Sequence, residues 1–170
     1  MIHITRNNSL GDLIKALLLA LALVLLAAGL TLTLGQKPNG RAHAGVTEQV
    51  LYSEYRGVRI GMSTEEVRAK LGEPLQKADD GDFYVFSKNE TAQIAYNPAH
   101  VVTTVSVDYL GGVGAPDYKL VVGPDVEVMA DGSIYKVVRY PVAGLWIFYN
   151  RSAGESPVIT VTLQKSLQKQ

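Results

Sequence analysis

Apolar and polar positions change rhythm along the chain, and each rhythm predicts a different element. From Ala16 to Leu34 the run ALLLALALVLLAAGLTLTL is uncharged and has no polar stripe at helical spacing. Its 19 residues would make about 28 Å of helix, close to the roughly 30 Å hydrocarbon core of a bilayer. This predicts a transmembrane helix or the apolar region of a signal peptide. The run is longer than a signal region usually is, which favours an anchor. Ala42-His43-Ala44 before Gly45 has the A-x-A form of a cleavage site, which keeps the signal-peptide reading open.

The second rhythm lies in GMSTEEVRAKLGEP, Gly61 to Pro74. Met62, Val67 and Leu71, with small Ala69, form one narrow apolar stripe. Ser63 and Glu66 have the S-x-x-E spacing of a capping box, and Met62 and Val67 that of a hydrophobic staple. Glu65 and Glu66 suit the positive end of the helix dipole, and Arg68 and Lys70 lie nearer its negative end. Gly72 and Pro74 stop the helix. About two and a half turns are too few to persist alone in water, so this helix must pack on something.

The third rhythm is that of strands. Val50 to Ile60 reads as an N-terminal strand or extended lead-in, with Tyr52, Tyr55, Val58 and Ile60 as its apolar positions. Phe83–Ser87, Ala92–Tyr96 and Val101–Tyr109 follow, separated by Lys88-Asn89 and Asn97-Pro98 turns. In the last run Val101, Thr103, Val105, Val107 and Tyr109 are expected on one face, and Val102, Thr104, Ser106 and Asp108 on the other. Lys119–Val122 is also strand-like. The second half echoes the first: Ile134-Tyr135 answers Phe83-Tyr84, Ile147–Asn150 answers Ile94–Asn97, and Ile159–Val161 answers Val105–Val107. No second capped helix is expected, because Pro124–Gly132 occupies its place. On this echo Ile147 and Tyr149 face the core. Trp146 and Phe148 then face the other way, as a partner-binding patch or as filling for a second layer.

The expected fold class is therefore α+β. A short capped helix packs on an antiparallel β-sheet, a degenerate tandem of two β-meander halves is its candidate layout, and one transmembrane helix precedes it. The chain divides into a cytoplasmic tail (1–15), the apolar span (16–34), a flexible linker (35–50) and an extracytoplasmic domain (51–170). Slight positive bias and a short N-terminus favour an N-in orientation.

Charge and composition narrow the function. Before Gly45 there are four basic residues and one acidic; the remainder carries 12 basic and 15 acidic side chains, a net of −3. A mildly acidic domain without basic runs is a poor nucleic-acid binder. With no cysteine, disulfides, thiol catalysis, Cys-based zinc sites and a lipid-modified Cys are excluded.

Candidate chemistry is sparse. Asp79-Asp80-Gly81-Asp82 invites a calcium reading, but Phe83 opens a strand at once, and a solvated turn is favoured. Gly111–Pro116 could cradle phosphate only ahead of a helix, and the strand-like run after it favours a linker. His100 stands alone in the domain, in a turn, and no metal-ligand spacing surrounds it. Ser106 and Asp108 share a strand face, a poor arrangement for nucleophile and base. Asn89-Glu90-Thr91 and Asn150-Arg151-Ser152 fit the glycosylation pattern, which matters only in a glycosylating pathway. No catalysis, cofactor or metal is expected.

The run Gly57–Pro74, GVRIGMSTEEVRAKLGEP, followed by strands, resembles the SmpA/OmlA (BamE-like) domain. That family's G-M-[ST]-x-x-x-V-x-x-x-L-G-x-P motif is matched by Gly61, Met62, Ser63, Val67, Leu71, Gly72 and Pro74. The resemblance covers Val58–Tyr109 and implies a small extracytoplasmic module with a helical layer on an antiparallel sheet. The fold of the β-lactamase-inhibitor protein is similar, a tandem of such modules. The expected function is a membrane-tethered, non-catalytic protein-interaction or scaffold module of the bacterial envelope, held by residues 16–34. Its protein partner would dock on Trp146 and Phe148. A secreted inhibitor-like protein cleaved after Ala44, and less so an envelope hydrolase, are the alternatives.

Overall fold

The computed structural model describes residues 48–166. The predicted tail, the span 16–34 and the linker up to residue 47 lie outside them. Among the described residues no helix is long and apolar enough to cross a membrane.

The fold is α+β, and its capped helix lies where the motif puts it. Helix α1 spans Thr64–Leu71 with Ser63 as N-cap, and both arms of the capping box are present. The Ser63 N–H donates to Glu66 Oε2 at 2.8 Å and the Glu66 N–H to Ser63 Oγ at 3.3 Å. Gly72, at φ 82°, ends the helix with its N–H on the Arg68 carbonyl. Val67 is fully buried, and Met62 and Leu71 pack against the same core.

Seven strands follow: β1 (Gln76–Ala78), β2 (Gly81–Ser87), β3 (Glu90–Tyr96), β4 (Val102–Leu110), β5 (Ile134–Tyr140), β6 (Leu145–Arg151) and β7 (Val158–Lys165). They form one sheet in the order β1-β2-β3-β4-β7-β6-β5, with every ladder antiparallel. Two meanders thus meet at the β4–β7 seam, where Val105 lies opposite Leu163 and Val107 opposite Val161.

Strand alternation divides the sheet into a core face and an open face. The core face carries Ile94, Val105, Val107, Val161, Leu163 and Ile147, and among the described residues the cover lies on it: Val67 of α1, Tyr55 and Val58, and Val121 and Val122 of a second helix.

Five sequence expectations need correction. The lead-in is not a strand. Tyr55 and Val58 close a tight turn with reciprocal backbone hydrogen bonds, and Arg56 and Gly57 both take positive φ, as a type I′ turn requires. The strand-like Lys119–Val122 belongs to helix α2, Tyr118–Val122. Its N-cap Asp117 and terminating Gly123 outweigh the strand preference of its two valines, so a second capped helix exists after all.

The alternation expected along β4 also slips at its start. Ala95 pairs with Thr104 but Tyr96 with Val102, which leaves Thr103 as an extra, bulged residue. The slip turns Val102 into the core, fully buried, while Val101 stays half exposed. Finally, the echo of Phe83-Tyr84 by Ile134-Tyr135 is one residue out of phase. Tyr84 and Ile134 are core residues, whereas Tyr135 is exposed. A one-residue shift in a strand exchanges its faces. The other two echoes keep their faces: Ile94 and Ile147, Tyr96 and Tyr149, Val105 and Ile159, and Val107 and Val161 are all buried.

Candidate functional site

Trp146 and Phe148 alternate with buried Ile147 and Tyr149 along β6, so both lie on the open face. The ladders fix their neighbours. One row across the sheet runs Phe83, Gln93, Ser106, Thr162, Phe148. The row on one side runs Ala95, Thr104, Gln164, Trp146, Arg139, and on the other Thr91, Asp108, Thr160, Asn150, Tyr135. Strands are about 4.8 Å apart, so each row of five spans roughly 19 Å.

This face has a distinct chemical layout. Its β5–β6 wing is aromatic: Trp146, Phe148 and exposed Tyr135, the last two in edge contact with ring centroids 5.2 Å apart. Its centre is polar and almost without charge. Ser106 Oγ and Thr162 Oγ1 are 2.8 Å apart and satisfy each other, although both side chains are buried. Beside them Thr160 donates to Asp108 Oδ1 at 2.6 Å. Burial pushes the Asp108 carboxyl above its ordinary pKa, and the Thr160 hydrogen bond only partly offsets this. No apolar residue of this face belongs to the buried core, and no described helix covers it.

Asp82 is the acidic residue whose place sequence reasoning missed. The turn it was assigned to is Asp79-Asp80, which links β1 to β2; Asp82 itself is the first core-facing residue of β2 and is buried. Arg68 of α1 grips it with Nε at 2.9 Å from Oδ2 and Nη2 at 2.8 Å from Oδ1. The Tyr96 hydroxyl adds a bond at 2.9 Å. The Arg68 guanidinium is held well above its usual pKa, first by the hydrogen bond to Asp82. The one available signal was period: Asp82 is in phase with Tyr84. It is therefore a structural clamp between α1 and the sheet, and among the described residues no group of acids and histidines could hold a metal ion.

The other candidates separate in space. His100 sits at positive φ in the turn before β4, and its carbonyl accepts from the Thr64 N–H at the start of α1. A polar hollow of about 200 Å³ lies beside it, lined by Thr64, Glu65, Arg68, Ala78, Asp79 and His100. Its two acids are exposed. The glycine run Gly111–Gly114 does precede a helix, against expectation, but Asp117 caps that helix by accepting from the Lys119 N–H at 2.8 Å. A carboxylate already occupies the place a phosphate would need. A groove of about 420 Å³ near α2 is lined by residues including Pro116, Tyr118, Val128, Tyr149 and Arg151, and the Arg151 guanidinium is engaged by the Gly132 carbonyl.

Compared with known proteins, the chain matches no family model, no curated protein and no solved structure.

Proposed function

We propose that this protein is a non-catalytic interaction module of the bacterial envelope, held to a membrane by residues 16–34, and that the open sheet face is its working surface. The observation that carries the reading is the aromatic wing of half-buried Trp146 and Phe148 with exposed Tyr135, which no described helix covers, beside a hydrogen-bonding, nearly uncharged centre. Interfaces concentrate their energy in such aromatic anchors, and polar groups around them fix register. The uncharged run Ala16–Leu34 supports the tether, and the SmpA/OmlA-like motif at Gly61–Pro74 supports an extracytoplasmic place.

Crosslinking in the native host, followed by capture of the full chain from solubilised membranes, tests this. Trp146→Ala and Phe148→Ala together should reduce recovery of the crosslinked partner by tenfold or more, within the range expected for loss of two anchors. Equal recovery from the variant and the unaltered chain would remove the open face as the working surface.

The second reading is a secreted inhibitor-like protein released after Ala44. The meeting of two helix-plus-meander halves at the β4–β7 seam favours it, because the similar inhibitor fold is a tandem. Mass spectrometry of the native protein separates the two: an N-terminus at Gly45 leaves no anchor. A hydrolase would have to use the hollow beside His100, where the nearest buried carboxylate, Asp82, is already taken by Arg68 and Tyr96.

A further inference from the structure

The open face carries two charged side chains in its three central rows, Arg139 at the rim and Asp108 at the centre. Asp108 is handled differently from the buried acid on the core face. Asp82 has both oxygens bonded and a guanidinium against it. Asp108 has Thr160 on Oδ1; among the described residues nothing donates to its Oδ2 and no cation pairs with it. Its ladder neighbours are Thr91 and Thr160, with Asn150 one strand further, all uncharged. Asp108 is only partly buried, and no buried side-chain oxygen among the described residues lacks a partner, so the unbonded Oδ2 faces outward as an acceptor open to a ligand. Around it lies a neutral surface, so its potential is not cancelled locally.

We infer that the partner docked on the open face is a protein segment that presents a basic side chain, arginine or lysine, to Oδ2 of Asp108 while its apolar residues lie on the Trp146–Phe148 wing. This rests on the docking role proposed above and specifies its chemistry. Asp108 lies two strands from β6, about 10 Å, so one extended segment can reach both. The cation would complete the coordination that Thr160 begins, through a charge-assisted bond whose geometry two adjacent strands fix. The acidic balance of the chain after Gly45 adds a weaker, long-range attraction for such a segment.

The test uses the full chain in lipid nanodiscs and a phage-displayed random dodecapeptide library. Peptides retained by the unaltered chain should share one arginine or lysine flanked by apolar residues. Asp108→Asn keeps an acceptor for Thr160 and should weaken the best peptide at least tenfold. Replacing the peptide's basic residue by glutamine should do the same, and the two changes together should cost no more than either alone. Selected peptides without a basic residue, an affinity unchanged by Asp108→Asn, or additive losses would each overturn the inference. If such peptides still depend on Trp146 and Phe148, the docking face itself stands. If none depends on them, both readings fall. Chitohexaose is the competing probe, and its retention without any basic peptide would assign the aromatic wing to a saccharide and overturn the inference.

Discussion

Asp108 and Asp82 lie on opposite faces of the sheet, and the difference in their surroundings comes down to one oxygen atom. Asp82 is bonded on both oxygens, whereas Asp108 spends one on Thr160. Burial raises the Asp108 pKa, so the folded protein holds that proton to a higher pH than the unfolded chain does. Between the unfolded value, about 3.9, and the raised folded value, the folded state binds more protons. Stability therefore falls as pH rises through that window and stays reduced above it. Asparagine keeps the shape without the charge. Asp108→Asn should raise the thermal midpoint at pH 7, and the gain should fade as pH approaches 3. Thermal melts across that range check it, and an Asn variant less stable at pH 7 would show that the carboxylate is already paired in solution. A stabilised variant that has lost its ligand cannot be explained by misfolding, which is what makes this residue informative.

At the scale of the element, α1 combines a part that sequence declares with a part it conceals. Its caps are local. Ser63, Glu66 and Gly72 act on backbone groups within four residues, so spacing alone identifies them. What fixes the helix to the sheet is not local. Arg68 reaches Asp82 across 14 residues of chain, and nothing in the helix pattern marks Arg68 as other than a residue near the negative dipole end. Removing Arg68 would leave Asp82, whose side chain is 0% exposed, with tyrosine hydroxyls as its remaining partners. Breaking a buried pair from one side costs about 3–5 kcal/mol. Arg68→Ala should fall near 3 kcal/mol in urea denaturation, since 32% of the guanidinium side chain remains exposed to water. A loss below about 1 kcal/mol would mean the clamp is not what seats α1. The same split between local and distant causes explains the rest of what could be read. The long strands were legible from period because one face of each is buried. Helix α2 was not, because five residues are too few for a helical period to emerge and its valines favour strands. The bulge at Thr103 depends on how β3 and β4 pair, and no single strand encodes it. Trp146 and Phe148 could be placed on the open face from alternation with Ile147 and Tyr149. The role of Asp108 could not, because it emerges when Thr160, 52 residues later, arrives opposite it.

For the folded body as a whole, the β4–β7 seam decides whether the two meanders behave as one unit. A helix and a meander make up each side, and an isolated meander buries little of its apolar face. The seam joins them through seven paired positions, Thr104–Leu110 with Val158–Gln164. Leu163 is the residue to perturb. It is fully buried, lies opposite Val105 of the first meander, and lies opposite Ile147 of the second. Leu163→Ala removes packing that both sides share, at about 2–5 kcal/mol. If the sheet unfolds as one, amide exchange at Ile94 and at Ile147 should accelerate by the same factor, and the fluorescence of the sole tryptophan, Trp146, should report the same lowered midpoint. Acceleration at Ile147 with Ile94 unmoved would divide the sheet into two independently unfolding halves. The docking face proposed here crosses the seam, with its aromatic wing on β6 and its carboxylate on β4, and requires the first outcome. Its two anchors hold their spacing only while the seam is closed.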